Sequence, residues 1–274
     1  MVPAYKGIPT KATYHTGTLL VDHASRYLHF TLHHSTGATE AITAKNSLVL
    51  LASSFNRSIK QYHTDNYIFS SKPFKDSCLQ QKQKTTFCGI DAHHQNGIAG
   101  RYIRSITKSA RTMLINAMLS WPGIIHENLW PFAVQLAVDL HNNTPTSAGL
   151  SPIKIFSGSK QSTPSSAFHP FGCPIYVLKS TLRQNLKIPR WKPRSRVGVY
   201  VGFSPHHASS VPLILSTTKG LISPQFHVVF DDNFSTTQCL HSNTIKTNWP
   251  ELFSTSAISN IDDDFTLTNL YDSS

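Results

Sequence analysis

The most constraining stretch of this sequence is residues 97–118, where Ala99, Ile103, Ile106, Ala110, Met113, Leu114 and Ala117 recur mostly at steps of three and four. That period lines them up along one side of an α-helix, as a stripe that has to be buried. Arg101, Arg104, Lys108 and Arg111 recur at steps of three, four and three along a second stripe. One face of the helix therefore packs and another is cationic. A chain of 274 residues is long enough to bury such a helix and suggests one large or two smaller domains.

The segments around this helix alternate between the two periods. Over residues 17–34, two apolar stretches flank a short polar turn, and Leu28, Phe30 and Leu32 alternate with His29, Thr31 and His33. That is a β-hairpin with one buried face. Residues 39–55 read as a helix through Ala41, Ala44, Leu48, Leu51 and Phe55. Short strands are expected at 58–63 and 85–90, with a helix over 72–84 turning Phe74, Cys78 and Leu79 inward. A further helix over 127–140 is expected to end at His141-Asn142-Asn143-Thr144-Pro145. No internal repeat is visible.

After residues 157–170, which have linker composition, the pattern changes to short strands at 174–178, 196–203, 212–215 and 226–230, with a turn at Thr218-Lys219-Gly220. The organisation read from this is a core over 1–160, a linker over 161–172, a small β-domain over 173–234 and a weakly patterned acidic tail over 235–274, expected to be mobile. The fold class is α/β.

Charge sharpens the division. Residues 1–230 hold 24 Lys+Arg against 7 Asp+Glu, a balance of +17, while residues 231–274 hold 1 against 7, or −6. A basic body is the electrostatic footprint of a nucleic-acid binder. The longest apolar run, residues 47–55, is about half a membrane span, so no membrane protein is expected. The first 17 residues show no apolar signal region, so secretion is not expected either. Cys78, Cys88, Cys173 and Cys239 show neither CxxC spacing nor a disulfide ladder, and read as reduced thiols in an intracellular protein.

A set of short motifs now falls into order: Tyr62-His63-Thr64-Asp65-Asn66, Phe87-Cys88-Gly89-Ile90, Ala92-His93-His94-Gln95-Asn96-Gly97-Ile98-Ala99 and Ala110-Arg111-Thr112-Met113-Leu114. Leu129-Trp130-Pro131, Phe171-Gly172-Cys173-Pro174, Trp191-Lys192-Pro193-Arg194-Ser195-Arg196 and Ser223-Pro224-Gln225-Phe226-His227 follow. In this order and spacing they resemble the integrase core of copia-type retrotransposon polyproteins, over about residues 10–235.

The resemblance implies a ribonuclease H-like mixed sheet with flanking helices, then a small β-barrel of the Src-homology-three kind. It implies two Asp and one Glu holding a pair of Mg²⁺ or Mn²⁺ ions for phosphodiester transfer, since hard cations take oxygen ligands. It also implies DNA as partner, held by its phosphates with little base readout, a homo-oligomer, and a place in the nucleus or a nucleoprotein particle.

Asp65 matches the family's second catalytic Asp, but Gly100 stands where the family has Glu. Glycine has no ligand atom. The family's first Asp lies on a strand that would precede Met1, so the first and central strand is expected to be missing, and its neighbours would be left with unpaired edges. Asp22 reads instead as a turn residue bonding its own backbone. Tyr67 replaces the glycine of the family's Asp-Asn-Gly turn, which would strain any positive φ there. With one carboxylate of three, the metals are not expected to bind productively and catalysis is expected to be defective. The alternatives are a non-catalytic DNA-binding protein keeping the basic surfaces, or a pseudogene product that does not fold.

The second basic cluster is Arg183, Lys187, Arg190, Lys192, Arg194 and Arg196, six cations in fourteen residues, suited to phosphate contact. Trp191 within it is expected to pack into the barrel. His33-His34 and His206-His207 are expected on the surface, and His93-His94 in a polar loop, because adjacent residues do not converge on one metal. Cys78 is expected to be a buried, inert thiol. No Gly-rich phosphate loop and no Gly-x-Ser-x-Gly elbow occurs.

Overall fold

The computed structural model describes residues 14–89, 96–147, 149–159, 163–179, 182, 189–207 and 211–237, in a mixed α/β arrangement. His93, His94, Arg183, Lys187, Cys239 and all but the first three residues of the acidic tail lie outside them.

The described residues of Tyr14–Lys108 and Ala137–Ser162 form one compact unit. Its hairpin joins β1 (Thr16–Val21) to β2 (Leu28–His33) in antiparallel register, Leu19 facing Phe30. The Asp22 carboxylate closes the turn by accepting from Ser25 N at 2.8 Å and Ser25 Oγ at 2.6 Å, the turn role its sequence context predicts. Helix α1 (Ala38–Ser54) follows, then β3 (Gln61–Thr64), α2 (Lys72–Gln80) and β4 (Lys84–Phe87). β3 and β4 run parallel, which a crossover such as α2 makes possible. The two strand pairs remain separate two-stranded sheets.

Helix α1 packs along both. Ala44, Leu48 and Ala52 cluster with Leu20 and Phe156, while Ala41 clusters with Tyr62, Phe69, Phe74 and Cys78. Phe156 comes from the short helix α5 (Pro152–Ser157) and stacks on Tyr27 with ring centroids 4.4 Å apart. Leu79, expected inward, is 76% exposed, because α2 turns only Phe74 and Cys78 to the core.

Polar groups are buried here too. The Lys45 ammonium is fully enclosed and donates to Ser77 O at 3.1 Å, Gln81 Oε1 at 3.0 Å and Gln83 Oε1 at 3.2 Å. Three acceptors are what an ammonium needs when water is removed. The bonds tie α1 to α2 and to the turn after it. His33, expected on the surface, is buried instead: its Nδ1 donates to Glu40 Oε2 at 3.1 Å and its Nε2 accepts from Thr18 Oγ1 at 2.9 Å. His33 shares its face of β2 with His29 and Thr31, the face expected to be open. Helix α1 covers that face through Ser47 and Glu40, so the hairpin is covered on both faces and not on one. His34 next to His33 is exposed, as expected.

Helix α3 (Gly97–Ser120) begins in this unit and ends in the second, whose described residues come from Ser109–Leu136 and Thr163–Ser259. Helix α4 (Trp130–Asn143) does not stop before His141-Asn142-Asn143 but runs through it. The Asn142 side chain accepts from Leu28 N at 2.9 Å and donates to Leu28 O at 2.8 Å, satisfying an edge of β2 that no described strand covers. His141 Nε2 donates to Arg26 O at 3.0 Å.

In the second unit β5 (Pro174–Leu178), β6 (Ser195–Phe203), β7 (Pro212–Ser216), β8 (Ile222–Pro224) and β9 (Val228–Phe230) form one antiparallel sheet, ordered β8-β7-β6-β5-β9. Among the described residues β8 and β9 do not pair, so the sheet is open where a closed barrel was expected. Ile175, Val177 and Ile214 centre its core. Gly172, at φ +85°, lets the chain cross Ala117 of α3, whose Cβ would lie 2.5 Å from any Cβ placed there. The buried Trp121 indole donates to Gly172 O at 2.6 Å and fixes that crossing. The His169 ring stacks on Phe230, centroids 3.4 Å apart, and bonds Asp232 at 2.8 Å. Asp231 accepts from Ser235 and Thr236, Thr236 Oγ1 at 2.6 Å, which pulls its carboxyl down to about 2 and orders the first residues of the expected tail. No helix among the described residues is long and apolar enough to cross a membrane.

Two outcomes follow for the first unit. Lys45→Met strands three acceptors in the interior and should lower unfolding stability by about 2–4 kcal/mol, read as a fall in the urea midpoint. His29, bonded to Ser47 Oγ at 2.7 Å, is held by burial at a pKa of about 4 against 6.5. The unfolded chain therefore takes up this proton first, so the stability present above pH 6.5 is lost as pH falls toward 4. Between pH 7.5 and pH 5 the expected loss from this group is about 2 kcal/mol. His29→Gln should remove that part of the pH dependence; an unchanged profile would contradict it.

Candidate functional site

Asp65 directly follows β3, at the carboxyl ends of the parallel pair β3 and β4. Open parallel sheets present ligand sites at that end. The ladder continues one bond further, Cys88 N donating to Thr64 O at 3.0 Å, and Asn66 Nδ2 donates to Cys88 O at 2.8 Å. Tyr67 N lies 3.4 Å from Asp65 Oδ1, the start of a turn secured by Ser70 Oγ donating to Asn66 O at 2.6 Å. Asp65 is only 6% exposed. Tyr67 sits at φ −85°, so the positive φ expected to strain this residue does not occur. The ring is 53% exposed.

The spacing of residues gave no notice of the group beside Asp65. His63 Nε2 lies 3.7 Å from Cys88 Sγ, and His63 Nδ1 bonds Thr86 Oγ1 at 3.0 Å. Strand alternation explains the meeting, since β3 and β4 stand in register. Burial, with the Asp65 charge adding to it, pushes the Cys88 thiol up, away from a nucleophilic thiolate. Cys78 and Cys173 are likewise free and buried with raised thiol pKa values, Cys78 as expected.

Gly100 lies in the first turn of α3, and a Cβ built there meets nothing within 4 Å. The position admits a side chain and supplies none. Among the described residues no three His, Cys, Asp or Glu side chains come together in a way that would hold a metal ion. Among the described residues Asp65, buried at a turn, is joined by too few oxygens for the six or more ligands of a hard divalent cation. The described residues do not fit a two-ion centre.

The cationic stripe of α3 is realised. Arg101, Arg104, Lys108 and Arg111 are all exposed, while Ala99, Ile106, Ala110, Leu114 and Ala117 on the other side are buried. Arg104 Nε lies 3.4 Å from Gly100 O, which inclines the guanidinium back along the helix. Of the second cluster, Arg190, Lys192 and Arg194 are exposed in the turn before β6, and Arg196 is partly covered within β6. Trp191, expected in the core, is 91% exposed, with the Arg190 guanidinium 5.8 Å from its ring centroid. Ile175, Val177 and Ile214 centre the interior of the sheet, whereas Trp191 lies in the turn outside it. His206 and His207 are exposed, and His207 Nδ1 bonds Ser204 Oγ at 2.7 Å.

No protein-family model matches the chain, and no curated protein matches it. Among solved structures it is similar to a chain of the simian T-cell lymphotropic virus intasome, solved by cryoEM in complex with PP2A regulatory subunit B56 gamma. That likeness has 17% identity and a TM-score of 0.41 over 81% of this chain and 76% of that one. It is also similar to the catalytic core domain of BIV integrase, at 17% identity and a TM-score of 0.39 over 52% of this chain and 85% of that one. A third similar structure is the HTLV-2 integrase catalytic core domain in complex with magnesium, at 16% identity and a TM-score of 0.37 over 53% of this chain and 98% of that one. TM-scores of this size do not decide a fold, and the functional case rests on the residues themselves.

Proposed function

We propose that this chain is a copia-type, retrotransposon integrase-like protein that binds DNA through its phosphates and does not carry out strand transfer. The observation that carries the proposal is the exposed row of Arg101, Arg104, Lys108 and Arg111 on a helix whose opposite stripe is buried. Cations at three- and four-residue steps lie about 5–6 Å apart along a helix, a spacing that lets neighbouring side chains reach successive phosphates. The motif series from Tyr62 to His227 supports the family reading. So does the order hairpin, helix, parallel strand, crossover, parallel strand, on which the ribonuclease H-like part of the proposal rests.

On this reading residues 1–160 correspond to an integrase core, 173–234 to the small β-domain that follows it and 235–274 to an acidic tail. The protein acts inside the cell, in the nucleus or a nucleoprotein particle, as a homo-oligomer. The proposed inactivity is supported by Gly100 and by the described residues, which bring no group of three His, Cys, Asp or Glu together.

Duplex binding should be weakly sequence-dependent and steeply salt-dependent. Four phosphate contacts give a slope of log K against log salt of about −3.6, hence about a 150-fold weakening from 50 to 200 mM salt. Replacing Arg101, Arg104, Lys108 and Arg111 by Gln should remove most of that slope in a fluorescence-anisotropy titration. Affinity indifferent to salt and to those four changes would overturn the binding proposal. A strand-transfer assay with Mn²⁺ and a labelled element end should give no product, with or without Gly100→Glu; Asp65-dependent product would overturn the inactivity.

A further inference from the structure

We propose that Trp191 is a stacking platform for an unpaired nucleobase, so that the turn before β6 binds single-stranded nucleic acid. This rests on the nucleic-acid reading above and adds to it the state of the strand that is bound.

Trp191 is the most exposed large hydrophobic residue among those described, at 91%. The turn that carries it is fastened at both flanks. Lys192 N donates to Pro189 O at 3.0 Å, Lys179 N donates to Arg194 O at 3.0 Å, and Lys179 Nζ donates to Pro193 O at 2.7 Å. Pro189 and Pro193 bracket the turn with fixed φ. Immediately beyond it Ser195 pairs with Leu178 of β5. A backbone fastened in this way presents the indole to solvent and not to the sheet, where a flat partner can reach it.

The charge around it selects the partner. Arg190, Lys192 and Arg194 are exposed on either side, and no carboxylate occurs between Pro189 and His207. Arg190 already lies over the indole at 5.8 Å, a cation–π contact that leaves most of the ring open to solvent. A polyanion carrying flat π faces satisfies both features at once: phosphates meet the cations while a base meets the ring. In a duplex the base faces are consumed by stacking, so the ring has nothing to meet; in a single strand they are available. A lipid surface fits less well, because from Pro189 to Arg196 Trp191 is accompanied only by prolines, cations and a serine, and these described residues offer no apolar face for interfacial anchoring.

The full-length chain and its Trp191→Ala and Trp191→Phe variants should be titrated with a twelve-residue oligothymidylate, a blunt twelve-pair duplex and anionic phospholipid vesicles. Trp191→Ala should weaken oligothymidylate binding about tenfold, Trp191→Phe about two- to threefold, and neither should change duplex binding more than about twofold. In a Trp249→Phe background, which removes the fourth tryptophan, emission should be quenched by the oligonucleotide and much less once Trp191→Phe is added, since Trp121 and Trp130 are buried. Duplex binding without oligothymidylate binding, or oligothymidylate binding indifferent to Trp191, overturns this inference and leaves the phosphate-binding reading standing. Failure to bind either nucleic acid overturns both. A Trp191-dependent response confined to the vesicles overturns it in favour of a membrane contact.

Discussion

The first unit depends on helix α1 packing against two sheets that no strand joins among the described residues. A two-stranded sheet by itself is marginal in water, and this unit contains two. α1 turns Ala44, Leu48 and Ala52 toward the Leu20 and Phe156 cluster, and Ala41 toward Tyr62, Phe69 and Phe74; Ile59 packs on both clusters. Small residues along the helix let it approach closely. Lys45 stands on the same buried side and bonds the α2 end of the parallel pair, so one helix supplies both the apolar contact and the polar tie. Strand β3, and Asp65 with it, holds its place through this helix.

What the sequence made legible was whatever repeats. The alternation in residues 28–33 located β2, the three- and four-residue steps located α1 and α3, and the two stripes of α3 came out buried and exposed as their period required. What it concealed was polar burial, because a polar residue is placed by a partner far along the chain. Asn142 looks like a helix terminator by type, and its amide instead completes the backbone of Leu28, 114 residues away. Lys45 breaks the apolar stripe of α1 and is paired with Gln81 and Gln83, more than thirty positions on. His33 looked like half of a surface pair until Thr18 and Glu40 met its two nitrogens. Each of these is a long-range match of donor to acceptor, and no local period reports it.

The site divides the same way. Asp65 and the cations of α3 were readable as individual residues, Asp65 by motif and the cations by spacing. The neighbourhood of Asp65, with Cys88 and His63 brought beside it, comes from the parallel register of two four-residue strands. Trp191 failed for a different reason. A tryptophan's size argues for burial, but its neighbours Arg190, Lys192 and Arg194 cannot follow it inside without losing their water, and the three cations hold the turn at the surface.

Catalysis and binding also tolerate change unequally, and Gly100 shows how. The open space around it means that packing does not demand glycine, and a glycine inside a helix costs about 1 kcal/mol relative to alanine. Nothing in the fold explains its presence. A two-ion centre fails when one of its convergent carboxylates is absent, because the ligand count for a hard cation falls below what holds it in place. Phosphate binding is a sum: losing one of four exposed cations removes about one contact from the slope and leaves the other three working. Under the proposed function, a helix with four exposed cations and no carboxylate in its first turn carries what the additive property needs and lacks one group that the convergent property needs.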